Sequence, residues 1–166
     1  RSAALMVGRG CSLPVRSREA FRLSLIAATA LNCEIAEYTK WDRKQYYYPD
    51  LPKGYQISQY DLPFSFDGGV DLVLNADTGE TRRIGIIRAH LEEDAGKNIH
   101  DFPGCTAVDL NRAGTPLLEI VTEPDMHSAA EVVEFAAQLQ RLVRYLGVCE
   151  AVMQKGQMRF EPNINV

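Results

Sequence analysis

One glutamate, Glu119, stands inside the apolar string Pro116-Leu117-Leu118-Glu119-Ile120-Val121. The run is short and β-branched towards its end, so residues 116–122 read as a strand rather than a helix. Strand side chains alternate between faces, which sets Leu117, Glu119, Val121 and Glu123 against Leu118, Ile120 and Thr122. A carboxylate is costly to bury unless a cation or a hydrogen-bond donor meets it. The chain must therefore build a sheet that either solvates this acidic face or turns it into a cleft where Glu119 meets a ligand.

A second segment, His90-Leu91-Glu92-Glu93-Asp94-Ala95-Gly96-Lys97, gathers three carboxylates and a lysine around one glycine. One reading is a solvated acidic turn. The other is a site for a hard cation and a phosphate. Magnesium needs one or two carboxylates beside phosphate oxygens. Gly96 permits close backbone approach to a ligand, and Lys97 can pair a phosphate. Arg112 precedes Gly114 in the Asn111-Arg112-Ala113-Gly114 turn, where it either reaches a phosphate or carboxylate or pairs with Asp109. The tyrosine-rich stretch 46–61 interleaves rings with Gln56, Ser58, Gln59 and Lys53, as the wall of a site or a subunit interface would.

The remaining pattern gives the frame. Residues 1–16 show no period; Ser17 caps a helix over 18–31, stopped near Asn32. Prolines, glycines and aromatics over 39–69 read as a long ordered loop with short strands. Residues 70–74 and 81–88 read as a hairpin leading directly into the acidic turn, and 105–110 and 116–122 as two more strands. Ser128-Ala129-Ala130-Glu131 is a capping box. It opens a helix whose Val132, Phe135, Ala136, Leu139, Leu142, Val143 and Leu146 hold a 3.6 period until Gly147. Residues 151–166 read as strand, turn and strand. Strands cluster, and helices do not alternate with them. The expected class is α+β, an antiparallel or mixed sheet with flanking helices, forming one domain or part of one.

Composition removes several functions. The net charge of −4 excludes coating nucleic acid by bulk positive charge, while leaving RNA held by a few placed groups. The four cysteines are dispersed without a CxxC pair, which is neither a zinc spacing nor a disulfide framework. The longest apolar stretch, Leu23 to Leu31, is far short of the roughly 20 residues of a membrane span, so no membrane is expected. Neither a P-loop nor a GxGxxG turn is present, so any ATP chemistry must use another scaffold.

The strings LNCEI (31–35), WDRKQYYYPDLPKGYQISQYDLPF (41–64), RIGIIRAHLEEDAGKNIHD (83–101), VDLNRAGTPLLEIVTEPDMHS (108–128) and RYLGV (144–148) resemble the B subunit of the aspartyl/glutamyl-tRNA amidotransferases. The resemblance implies a cradle-like α+β catalytic fold related to glutamine synthetase. It implies a protein that uses ATP and Mg2+ to phosphorylate the side-chain carboxyl of glutamate or aspartate misacylated on tRNA. Ammonia, made from glutamine by the family's glutaminase subunit, then displaces the phosphate. Implied partners are amidotransferase subunits A and C and the misacylated tRNA, in the bacterial cytoplasm or in an organelle. Glu93, the second glutamate of HLEEDAGK, and Glu119 of TPLLEI resemble the family's catalytic, metal-binding acids, with Lys97 and Arg112 as cofactor contacts. The family opens with a GLEVHVQL-type strand not found here, and Glu161 of RFEPNINV stands where an aspartate is usual. Residues 1–166 are thus expected to be a partial catalytic domain, inactive alone, without the helical and tail domains that grip tRNA. The alternative is a non-catalytic module that docks a partner through 46–61.

Overall fold

Helix α1 (Arg18–Ala30) begins where Ser17 Oγ accepts the Ala20 N–H at 3.3 Å. It ends where Asn32 takes a left-handed φ of 55° and the Cys33 N–H returns to the Ala28 carbonyl. The computed structural model describes residues 17–165, so the readings of 1–16, including Cys11, and of Val166 lie outside it. Eight strands follow α1: β1 (Glu34–Ile35), β2 (Asp42–Gln45), β3 (Tyr55–Ser58), β4 (Ser65–Asn75), β5 (Glu80–Glu93), β6 (Lys97–Ile99), β7 (Ala107–Asp109) and β8 (Pro116–Thr122). Helix α2 (Ala129–Tyr145) and a 3-10 turn (Met153–Lys155) complete the described chain. The class is α+β with antiparallel pairing, as expected.

The chain divides into two units. One contains Arg22–Ile35, Ser65–Ala89 and residues 120–165. Its strands belong to a four-stranded sheet ordered β1-β4-β5-β8. Leu72, Ile84 and Ile86 of the sheet pack with Phe135, Leu139 and Val143 of α2. Those three helix residues are spaced four apart, the apolar stripe that the sequence marks. The capping box forms: Glu131 N–H donates to Ser128 Oγ at 3.2 Å. The Glu131 carboxylate reaches back to the His127 N–H at 2.7 Å and also holds Arg82 at 2.8 Å.

The hairpin is longer at both ends than its pattern suggested. Gly68 and Gly69 fall in the stretch 39–69 that reads as a long loop, yet both lie in β4. A Cβ on Gly68 would sit 2.4 Å from Cys33 Sγ and 2.7 Å from the Leu31 carbonyl oxygen, so the glycine allows a close crossing inside a strand. The tail also differs. Among residues 151–165 there is a 3-10 turn and no strand. The Gln157 side chain accepts the Val152 N–H at 3.0 Å, closing the chain on itself. Met158 and Phe160 still pack against the core, which accounts for their apolar alternation.

The other unit contains residues 17–21, Ala36–Phe64 and His90–Glu119. It holds the antiparallel pair β2–β3, in register Asp42↔Ser58 to Gln45↔Tyr55, and the pair β6–β7, in register Lys97↔Asp109 to Ile99↔Ala107. Phe21 meets Phe64 edge-on at 5.5 Å between centroids. Among the described residues no helix is long and apolar enough to cross a membrane.

Candidate functional site

The acidic segment is not a turn at its first two glutamates. β5 continues through Glu93, so alternation sends Glu92 and Glu93 to opposite faces. His90, two residues before Glu92, shares its face. β8 is the neighbour of β5 and brings Glu119 beside them. One ligand atom from each of His90, Glu92 and Glu119 lies within 4.8 Å of the other two. His90 Nε2 is 3.8 Å from Glu92 Oε2 and 3.9 Å from Glu119 Oε2, longer than hydrogen bonds. His90 and Glu92 are buried, whereas the Glu119 side chain is 46% exposed. The cluster is therefore closed on one side and open at Glu119.

Glu93 belongs to a different set. Its Oε1 accepts from Lys53 Nζ and from the Ile57 N–H, and its carbonyl accepts from Gln56 Nε2 at 2.7 Å. The sequence pairs Glu93 with Glu119; the structure pairs Glu92 with Glu119, and strand alternation is the reason. Lys97 is exposed on β6 with Asp109 as its register partner. Arg112 Nε donates to Asp94 Oδ2 at 2.9 Å rather than pairing with Asp109. Asp109 uses Oδ1 on the Asn111 N–H of its own turn. Gly96 also has a different task from the one expected. A Cβ there would meet the Asp109 carbonyl oxygen at 2.7 Å, and its N–H donates to Asp50 O at 2.8 Å, so its closeness serves the fold itself.

The electrostatics mark Glu92 and Glu119 as a coupled pair. Burial raises the Glu119 carboxyl above its ordinary value and the Glu92 charge adds to the rise, against the pull of His90 and Lys44. Burial also works upward on Glu92, but His90, the Ser58 hydroxyl and the hydrogen bond with Glu119 outweigh it and hold Glu92 low. The two shifts run in opposite directions because the carboxylates face each other, so a second negative charge is disfavoured at Glu119. His90 Nδ1 is buried with no hydrogen-bond partner. Two carboxylates short of positive charge beside an imidazole form a donor set that could hold a divalent cation. His90 and Glu92 were not singled out as partners of Glu119 in the sequence because 90–93 looked like a turn. Read as a strand, the spacing of His90 and Glu92 gives their common face.

The tyrosine-rich stretch divides in two. Gln56, Ile57, Ser58 and Gln59 are buried, while Tyr47, Tyr48 and Tyr60 are exposed. Cys33, Cys105 and Cys149 are free thiols.

Residues 2–166 match the family described as the GatB/GatE catalytic domain. The chain is 54% identical over 164 residues to the B subunit of an aspartyl/glutamyl-tRNA(Asn/Gln) amidotransferase of Rhodopirellula baltica, covering 96% of this chain and 33% of that protein. The protein of the same name from Thioalkalivibrio sulfidiphilus is 52% identical over 167 residues, covering 100% of this chain and 35% of its own length. The B subunit of a chloroplastic/mitochondrial glutamyl-tRNA(Gln) amidotransferase of Oryza sativa subsp. japonica is 52% identical over 162 residues, covering 96% of this chain and 30% of its own. The chain thus spans about a third of the length of these relatives. With its α+β fold and the matched family model, the chain belongs to the GatB/GatE catalytic-domain family.

Proposed function

We propose that this chain is part of an amidotransferase subunit that activates the side-chain carboxyl of glutamate or aspartate misacylated on tRNA. The single observation carrying the reading is the convergence of His90, Glu92 and Glu119 in a chain of this family. A carboxylate is a weak nucleophile towards ATP, and phosphoryl transfer is mostly positioning and neutralisation of charge. The carboxyl oxygen attacks the γ-phosphorus and ADP leaves. Ammonia, supplied by a glutaminase subunit, then displaces phosphate from the acyl phosphate.

Glu119, Glu92 and His90 would hold Mg2+, which supplies charge neutralisation for the phosphates and fixes their orientation. The raised Glu119 carboxyl and His90 Nε2, 3.8 Å and 3.9 Å from the two carboxylates, support that fit. In this reading Glu92 takes the ligand role expected of Glu93, and Glu93 fixes the end of β5 against Lys53 and Ile57. Lys97 and Arg112 are proposed contacts of the ATP phosphates. Tyr47, Tyr48 and Tyr60 offer docking area to the partner subunits or to the tRNA.

The test is the full-length protein, assembled with its partners, given γ-labelled ATP and misacylated tRNA but neither glutamine nor ammonia. Label should accumulate on the tRNA-borne amino acid as an acyl phosphate that hydroxylamine releases. Amidation on adding ammonia, with no such labelled species at any time, would contradict the reading.

A further inference from the structure

Four consecutive residues of the segment 56–59 address the end of β5. Gln59 Oε1 accepts the Leu91 N–H at 3.1 Å, and Gln56 Nε2 donates to the Glu93 carbonyl at 2.7 Å. Ile57 N–H takes the Glu93 carboxylate at 2.7 Å. Ser58 Oγ donates to Glu92 Oε2 at 3.2 Å, in a buried contact. The first three fix the backbone and turn Glu93 away. Ser58 alone of the four touches a carboxylate of the cluster, at the same oxygen that lies 3.8 Å from His90 Nε2.

An ionised carboxylate only accepts hydrogen bonds, and it rotates unless something holds it. A hydroxyl on the closed side of the cluster fixes that rotation and leaves the side towards Glu119 for a cation. Ser58 is itself held in register opposite Asp42 of β2, so its hydroxyl is delivered by a paired strand rather than a loop. We infer that Ser58 is a positioning residue that orients the Glu92 carboxylate for divalent-cation binding. The inference rests on the reading of the cluster given under Proposed function and goes beyond it by naming what sets the ligand geometry.

Groups that orient metal-ligating side chains typically matter about 10–100-fold in metal affinity. The measurement is Mn2+ binding to the full-length protein without nucleotide, followed by the electron paramagnetic resonance of free Mn2+, counting the site lost in Glu119→Gln. Ser58→Ala should weaken that site about tenfold or more, and Ser58→Thr, which keeps the hydroxyl, should restore it. The Mg2+ concentration for half-maximal amidation should shift by the same factor. Should the alanine variant not fold, Ser58→Cys keeps the volume, weakens the donor and carries the same expectation. Wild-type Mn2+ affinity in Ser58→Ala or Ser58→Cys would overturn the positioning role while leaving the cluster reading intact. Absence of a Glu119-dependent Mn2+ site in the wild type would overturn both.

Discussion

Strand β5 has two kinds of interior. Its first part sets Ile84 and Ile86, 0% and 1% exposed, into an apolar cluster with Phe135, Leu139 and Val143 of α2. Its last part buries His90 and Glu92 instead, with Asp94 just beyond. Apolar burial stabilises roughly in proportion to area and needs no particular partner. Polar burial is costly unless each group is met, so its partners are individually placed: Ser58 for Glu92, Arg112 for Asp94. One region therefore governs whether the chain folds. The other gathers acids whose charge the surrounding groups meet only in part.

The largest separation of the two should come from Leu139→Ala. Leu139 is 6% exposed in the apolar cluster, and its truncation should cost roughly 2–5 kcal/mol in urea unfolding of the chain. Mn2+ affinity of the population that stays folded should not change. Loss of the metal site in folded Leu139→Ala would show that the two regions are not separable. Gly68→Ala should cost less, roughly 1–3 kcal/mol, because its Cβ must displace Cys33 Sγ and the Leu31 carbonyl. A neutral result there would mean that β4 gives way easily at the crossing.

Smaller effects should carry opposite signs in the two regions. Burial and the Glu92 charge raise the Glu119 carboxyl, so Glu119 favours the fold below the ordinary glutamate range. That contribution is lost as the pH rises through its raised value. In metal-free buffer at pH 7, Glu119→Gln should melt above wild type, and the gap should close in acid. Glu131 is held low by the His127 N–H and by Arg82, so it stabilises above the ordinary range. That stabilisation is lost as the pH falls through its lowered value. Glu131→Gln should melt below wild type at pH 7, and its gap should also close in acid. Equal signs for the two variants would erase the distinction between an uncompensated and a compensated acid.

The apolar region was the more legible in the sequence. Phe135, Leu139 and Val143 follow helical spacing, and Ser128 with Glu131 marks the helix start, because local pattern and tertiary burial agree there. Asn32 was likewise readable as a stop. Reading failed where tertiary contact overrode local chemistry. Gly68 sits in the stretch read as a loop but serves a close crossing within a strand. The acids 92–94 signal a turn, yet β3 holds the strand through Glu93 by way of Ile57 and Gln56. That error moved the partnership with Glu119 by one residue, since a one-residue shift in a strand exchanges faces. Glu119 stood out in the sequence because an acid in an apolar strand is costly to bury, and the structure sets it beside His90 and Glu92. Ser58 did not stand out, since nothing local ties a serine at 58 to a glutamate at 92.

The most direct measurement is amidation by the full-length protein, assembled with its partner subunits, carrying Glu119→Gln. Losing one ligand charge should remove several kcal/mol of charge stabilisation, on the order of a hundredfold or more in rate, at unchanged assembly and tRNA binding. A folded, assembled Glu119→Gln enzyme that amidates misacylated tRNA at the wild-type rate would contradict the account.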